Sequence, residues 1–164
     1  TSHIEFLKLI IETCENFKNF NVYIKPKLKF DTYLNHELTN KYANMLLSKK
    51  NIRILDEQIS NLEVYKKNNL SVCMPFTSTA IESFYLGFNS IFFDGVKKYK
   101  NSYYSGFDKI YFSDQKETIH FINDYLLEIN KVPLSDLQKD LFKKIDLNIP
   151  PAQKIINTLE NYEN

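Results

Sequence analysis

Glycine is scarce in this chain, at three of 164 residues. A glycine-rich phosphate loop of the Walker or dinucleotide type cannot be assembled from three separated glycines, which excludes two large nucleotide-binding classes. Each glycine present is expected where the backbone requires one. Cysteine is limited to Cys14 and Cys73, far apart in sequence. That fits buried thiols in a reducing compartment better than a disulfide framework. The three histidines, His3, His36 and His120, are scattered, so they offer no zinc-ligand spacing. Arg53 is the one arginine among 21 basic residues, so lysine clusters reflect a compositional bias and carry less weight than usual. A basic surplus is also missing. Lys plus Arg number 21 against 20 for Asp plus Glu, a net charge of +1. That balance argues against general affinity for nucleic acid, which needs cations to displace counterions. No run of 18 apolar residues is present to span a membrane. The first residues do not show the charged and apolar regions of a secretory leader.

What is there suffices for one ordinary domain. The chain is 43% hydrophobic and 25% charged, enough to bury a core and remain soluble. Ile4, Leu7, Ile10, Ile11 and Cys14 recur at helical spacing over residues 4–18. A short apolar run, residues 21–25, then ends at Pro26 and reads as a buried strand. Residues 28–34 read as a loop. Residues 35–49 read as a helix with Asn35 as its cap. Further strands are expected at 51–55, 70–74, 90–93 and 109–112. Helices are expected around 59–68, at 77–86, from a Ser113 cap to about 130, at 135–144, and from Pro150-Pro151 to about 162. Gly87 is placed to terminate the helix before it. Strands alternating with helices at this spacing imply right-handed crossovers and parallel pairing. Short continuous apolar strands fit a sheet covered on both faces. The expected fold is α/β, a Rossmann-like, doubly wound, mostly parallel sheet of about five strands with extra C-terminal helices. Residues 1–164 then form a single domain, with 135–164 a helical C-terminal extension.

Such sheets bind ligands beyond the carboxyl ends of their strands. The segment Met74-Pro-Phe-Thr-Ser-Thr-Ala-Ile-Glu-Ser-Phe-Tyr-Leu-Gly87 occupies that kind of position. Thr77, Ser78 and Thr79 open a helix where free N–H groups and the positive end of the helix dipole favour an anion. Glu82 lies one turn later on the side of Ser78, where a carboxylate can accept hydrogen bonds from a hydroxyl pair. Helix capping and a surface carboxylate are the alternative. Lys25, Lys27 and Lys29 follow the first strand, and Lys25 is the best placed to neutralise a phosphate. Asp56 and Glu57 follow the second strand, either facing a base or ribose or forming an acidic pair at a helix start. Asp94 ends the fourth strand, where it can contact sugar hydroxyls or order the irregular stretch 95–106. That stretch, with Tyr99, Tyr103, Tyr104 and Lys97, Lys98, Lys100, suits a loop beside the site or against a partner domain better than one stacking single-stranded nucleic acid. Cys14 and Cys73 read as packing residues. His36 and His120 read as surface or helix-end residues.

The segment Ser78-Thr79-Ala80-Ile81-Glu82-Ser83-Phe84-Tyr85-Leu86-Gly87, followed by Ile91-Phe92-Phe93-Asp94, resembles the C-terminal, donor-binding half of GT-B glycosyltransferases of the bacterial capsule and surface-polysaccharide type. Val22-Tyr23-Ile24-Lys25-Pro26-Lys27 is similar to that family's strand ending in Lys-Pro-His, with Lys27 in place of the histidine. Residues 146–159 resemble its closing segment, with Lys154 where arginine is common. The resemblance implies metal-independent sugar transfer from a nucleotide sugar, with no cofactor, to an acceptor glycan held by an N-terminal domain that this chain lacks. It places the donor phosphates at Lys25, Thr77, Ser78 and Thr79, and the donor sugar or ribose at Glu82 and Asp94. Lys27 and Asp56 are secondary candidates. The catalytic base falls on the other half, so this chain by itself is expected to bind donor weakly and to turn over nothing. The implied location is cytoplasmic, at the inner face of the membrane in a full-length enzyme. A half of a sugar-nucleotide epimerase and a non-catalytic α/β binding module remain as alternatives. A receiver-like signalling domain is disfavoured because the first strand ends in Lys25-Pro26 and lacks clustered aspartates.

Overall fold

The structure, a computed structural model, describes residues 1–75, 77–101 and 109–127. The helices expected at 135–144 and near the end of the chain lie outside the described residues, as does part of the stretch 95–106. The observed order is α1 (Ser2–Asn16), β1 (Val22–Ile24), α2 (Asp31–Asn35), α3 (Glu37–Leu47), β2 (Ile52–Ile54), α4 (Asn61–Lys67), β3 (Ser71–Cys73), α5 (Ser78–Tyr85), β4 (Ser90–Phe93), β5 (Tyr111–Phe112) and α6 (Gln115–Leu126). Every strand pairing is parallel. The class is therefore α/β, as the alternation of elements implies.

The expected single sheet of about five strands requires correction. β1 pairs with β2, with Val22 opposite Ile52. Separately, β3, β4 and β5 form a three-stranded ladder, with Ser71 opposite Ser90 and Phe92 opposite Tyr111. No ladder among the described residues joins β1 to β3. Both strands are only three residues long, and each is followed by a proline two residues past its end, Pro26 and Pro75. A proline has no N–H to extend a ladder.

Burial follows strand alternation. Phe92 joins Cys73, Ala80, Phe84 and Ile110 in one core, under α5. Ile91 points the other way and joins Phe17 and Ile122, under α6. β4 is thus buried on both faces, which is why Ser90–Phe93 is apolar almost throughout. A third core holds Leu7, Ile11, Cys14, Leu46 and Ile52 between α1, α3 and the β1–β2 ladder. The Asn51 side-chain amide donates to the carbonyls of Cys14, Phe17 and Phe20, each at 3.1 Å, and so ties the end of α1 to the start of β2.

Local signals set several element ends. Ser60 and Glu63 form a reciprocal capping box that starts α4. Gly87 has φ +78°; its N–H donates to Phe84 O and that of Phe88 to Ser83 O, a Schellman closure of α5. Three expectations shift. The loop at 28–34 contains the start of α2. His36, through Nδ1 accepting from Leu38 N at 3.2 Å, caps α3 where Asn35 was expected. Asp114 caps α6 in place of Ser113, with Oδ1 accepting from Glu117 N at 3.0 Å. In each case a neighbouring side chain offers an equally good acceptor, so composition does not resolve the boundary.

Gly95 lies tight between Glu5 of α1 and the Phe93 ring of β4. A Cβ there would lie 2.6 Å from Glu5 Cβ and 2.9 Å from the Phe93 ring. Gly95→Ala is therefore expected to lower stability by about 1–3 kcal/mol through overpacking. The check is a lower urea midpoint with an unchanged slope.

Candidate functional site

A cleft of about 1100 Å³ opens between the two ladders. One wall comes from β1 and the residues that follow it, including Lys25, Pro26 and Lys27; the other comes from β3 and the turn into α5, including Thr77, Ser78 and Thr79. β1 and β3 belong to different ladders, and the lining runs from the residues before each strand to those after it. Lys25, Pro26, Lys27, Thr77, Ser78 and Thr79 form its part beyond the strands' carboxyl ends, where open α/β sheets bind ligands.

Local chemistry explains the wall formed by α5. Thr77 is the N-cap residue, but its hydroxyl donates to Met74 O at 3.1 Å and makes no cap hydrogen bond. The first turn of α5 is therefore left without a side-chain acceptor, and its N–H groups and dipole remain suited to an external anion. Among the described residues the hydroxyls of Ser78 and Thr79 carry no hydrogen bond. Ser78 is exposed. Of the three hydroxyls expected to donate to an anion, Thr77 instead spends its proton on the turn that shapes the site.

On the opposite wall, Lys25 is half-buried and its Nζ donates to Glu57 O at 3.4 Å. That long bond holds the ammonium at the end of β1 without neutralising it. Lys27 is exposed on the same wall. Asp56 does not line the cleft; its Oδ1 accepts from Gln58 N at 2.7 Å in an Asx turn. The alternative placement of Asp56 and Glu57 at a helix start is corrected too, because the Ser60 capping box begins α4 further along the chain.

Two carboxylates lie apart from the cleft lining. Glu82 is exposed, and its Oε2 accepts from Asn61 Nδ2 at 2.7 Å and from Tyr65 Oη at 3.5 Å. Both partners line the cleft, so Glu82 stands directly behind them. Asp94 is only 2% exposed. Its Oδ2 accepts from Tyr99 N at 2.7 Å and from Tyr111 Oη at 2.5 Å. Of the two roles its position suggested, it performs the ordering of the chain after β4.

Tyr65 has a larger part than its sequence context conveys. Buried between α4 and α5, it donates its hydroxyl to Thr79 O at 2.6 Å and so fixes the first turn of α5. Burial, with the adjacent Glu82 carboxylate, pushes this phenol well above the ordinary tyrosine value, so it remains a donor at any physiological pH. Helical spacing leaves open whether it or Lys66 faces inward. Cys73, at the cleft floor, is pushed up to about 11 by burial, against the hydrogen bonds of Ser90 and Thr77. Burial thus favours its neutral thiol form.

Among the described residues no group of three His, Cys, Asp or Glu side chains is arranged to hold a metal ion. No helix among them is long and apolar enough to cross a membrane. What the cleft offers is one uncapped helix start, two unengaged hydroxyls and two lysines, which together suit a small phosphorylated ligand.

The family model described as polysaccharide biosynthesis PFTS motif protein matches residues 1–122. The four letters of that motif are read directly in Pro75-Phe76-Thr77-Ser78, the segment leading from β3 into α5. No curated protein and no solved structure matches the chain.

Proposed function

From the premise that the chain belongs to the polysaccharide biosynthesis PFTS motif family, we propose that it is the nucleotide-sugar-binding half of a glycosyltransferase. Family membership ties it to polysaccharide biosynthesis. The finer reading is a GT-B-like, Rossmann-type donor domain whose acceptor is a growing bacterial surface polysaccharide such as capsule or O-antigen. The observation that carries it is the convergence of Lys25, Lys27, Ser78 and Thr79 on one cleft at the carboxyl ends of β1 and β3. Pro75, Thr77 and Ser78 of the motif line that cleft.

In this reading the donor phosphates sit against the first turn of α5. Its N–H groups, the hydroxyls of Ser78 and Thr79, and the Lys25 ammonium balance the charge that grows on the departing nucleotide phosphate. Thr77 contributes through the turn it shapes, and Tyr65 through the carbonyl of Thr79. Glu82 acts on the sugar or ribose through Asn61 and Tyr65, which it holds at the cleft lining. Asp94 anchors the residues beyond β4. Transfer requires no metal, and the base that activates the acceptor comes from a second domain.

The test is isothermal calorimetry with UDP, CMP, CDP and GDP. One nucleotide is expected to bind, with Lys25→Ala and the Ser78→Ala/Glu82→Ala pair each weakening it about 10-fold, the loss of a charge-assisted contact or a comparable set of hydrogen bonds. Absence of binding by all four at millimolar concentration would sink the proposal and favour a non-catalytic module.

A further inference from the structure

The cleft wall beyond Lys25 and Lys27 carries an aromatic surface that core packing does not use. Phe30 and Tyr33 lie on α2 and its entry, with ring centroids 5.8 Å apart and planes at 39°. His3 of α1 stands against Tyr33 at 6.0 Å. All three line the cleft, and none belongs to any of the three core clusters. Phe30 and Tyr33 are each half-buried, so part of each ring remains accessible.

This short helix is held in place by side-chain bonds to its carbonyls that do not depend on those rings. Thr39 Oγ1 donates to Tyr33 O at 2.7 Å, and the Asn40 side-chain amide donates to Leu34 O. The ridge is thus fixed to the start of α3 while its aromatic side faces the cleft. Lys25, Lys27 and the uncapped start of α5 line the same cleft. A ligand spanning these features has an anionic part at one end and a flat apolar part at the other.

Resting on the donor-site reading above, we infer that the Phe30–Tyr33 ridge stacks the base of a nucleotide. The donor is then a sugar carried on a nucleoside phosphate, and not one carried on a lipid phosphate, whose flexible chain gains nothing from a rigid, tilted ring pair. Stacking on an aromatic face tolerates every base, so this ridge supplies affinity for a base as a class. Selection among bases falls to other groups.

The experiment compares each nucleotide of the panel with its base-free counterpart by calorimetry. Inorganic pyrophosphate serves for UDP, CDP and GDP, and inorganic phosphate for CMP. The nucleotide is expected to bind at least about 10-fold more tightly than its counterpart, as base stacking provides. Tyr33→Ala should remove that advantage while leaving pyrophosphate affinity in place, and Tyr33→Phe should keep both. Should Tyr33→Ala lose pyrophosphate as well, Phe30→Ala must show the base-selective loss, or the inference is overturned. Equal binding of nucleotide and counterpart overturns the stacking ridge and leaves the anion site standing. Binding of neither overturns the donor-site reading, and this inference with it.

Discussion

Phe92→Ala is expected to lower the unfolding free energy by about 3–5 kcal/mol, the usual cost of emptying a phenylalanine site in a core. Phe92 is 0% exposed and meets Phe84 edge-on, with centroids 5.8 Å apart at 84°. It lies between the backbones of β3 and β5, in register with Cys73 and Tyr111. Collapse around the cavity is therefore resisted by two strands, and the cost should fall toward the upper end. A domain of this size has only about 5–15 kcal/mol to lose, so the variant should melt far below the parent or fail to fold. Leu28→Ala, at an exposed apolar position, should stay within about 0.5 kcal/mol. Urea titration of both measures the contrast. A loss below about 1 kcal/mol for Phe92→Ala would mean that β4 is not the centre of the sheet.

Asp94→Ala should cost about 2–4 kcal/mol, because it strands two donors at once. The Tyr99 N–H and the Tyr111 hydroxyl both give their hydrogen to Asp94 Oδ2. Asp94→Asn keeps an acceptor oxygen and should lose about 1 kcal/mol. The pair of variants also separates structure from ligand recognition. An architectural Asp94 predicts that Asp94→Asn leaves nucleotide affinity unchanged. A tenfold loss of affinity without loss of stability would instead place the carboxylate at the donor. The same hydrogen bond has a pH signature. Burial and the Asp94 acceptor push the Tyr111 phenol above its ordinary value of about 10. Its contribution to stability is fully present below that ordinary value and is lost as pH rises through the higher folded value. Asp94→Ala should therefore flatten the alkaline part of the stability curve, followed by tyrosinate absorbance and urea midpoints.

Much of the molecule was legible because its signals are local. The faces of α1 and α5, the buried run at β4 and the termination of α5 by Gly87 follow from spacing and from one left-handed residue. The segment from Met74 to Gly87 stands out for the same reason: strand, the hydroxyls of Thr77, Ser78 and Thr79, and helix are contiguous in the chain. Boundaries governed by competing caps were less legible. His36 and Asp114 act where Asn35 and Ser113 looked equally able. The five-residue helix α2 is too short to show a period, and its aromatic ridge went unread with it.

The roles of the carboxylates illustrate the same limit. Spacing puts Glu82 beside Ser78 on α5, yet Asn61 and Tyr65 of α4 engage its carboxylate. Asp94 ends a strand at the expected edge, yet Tyr111 from β5 takes its side chain inward. Helical spacing leaves open whether Tyr65 or Lys66 faces inward, and the bond from Tyr65 Oη to Thr79 O decides it. In each case the deciding partner comes from another element.

From the sequence follow the α/β class, the alternation of the longer elements, their inward faces and the hydroxyl-rich start of α5 after β3. These depend on periodicity and on residues adjacent in the chain. Only the packed structure shows that the strands pair as two ladders, that Lys25, Ser78 and Thr79 line one cleft, and that Asp94 is a buried anchor. Those facts depend on which strand edges pair and on which side chains meet across long stretches of chain. Pairing and burial are settled by the packing of all the elements together, and no local pattern encodes them.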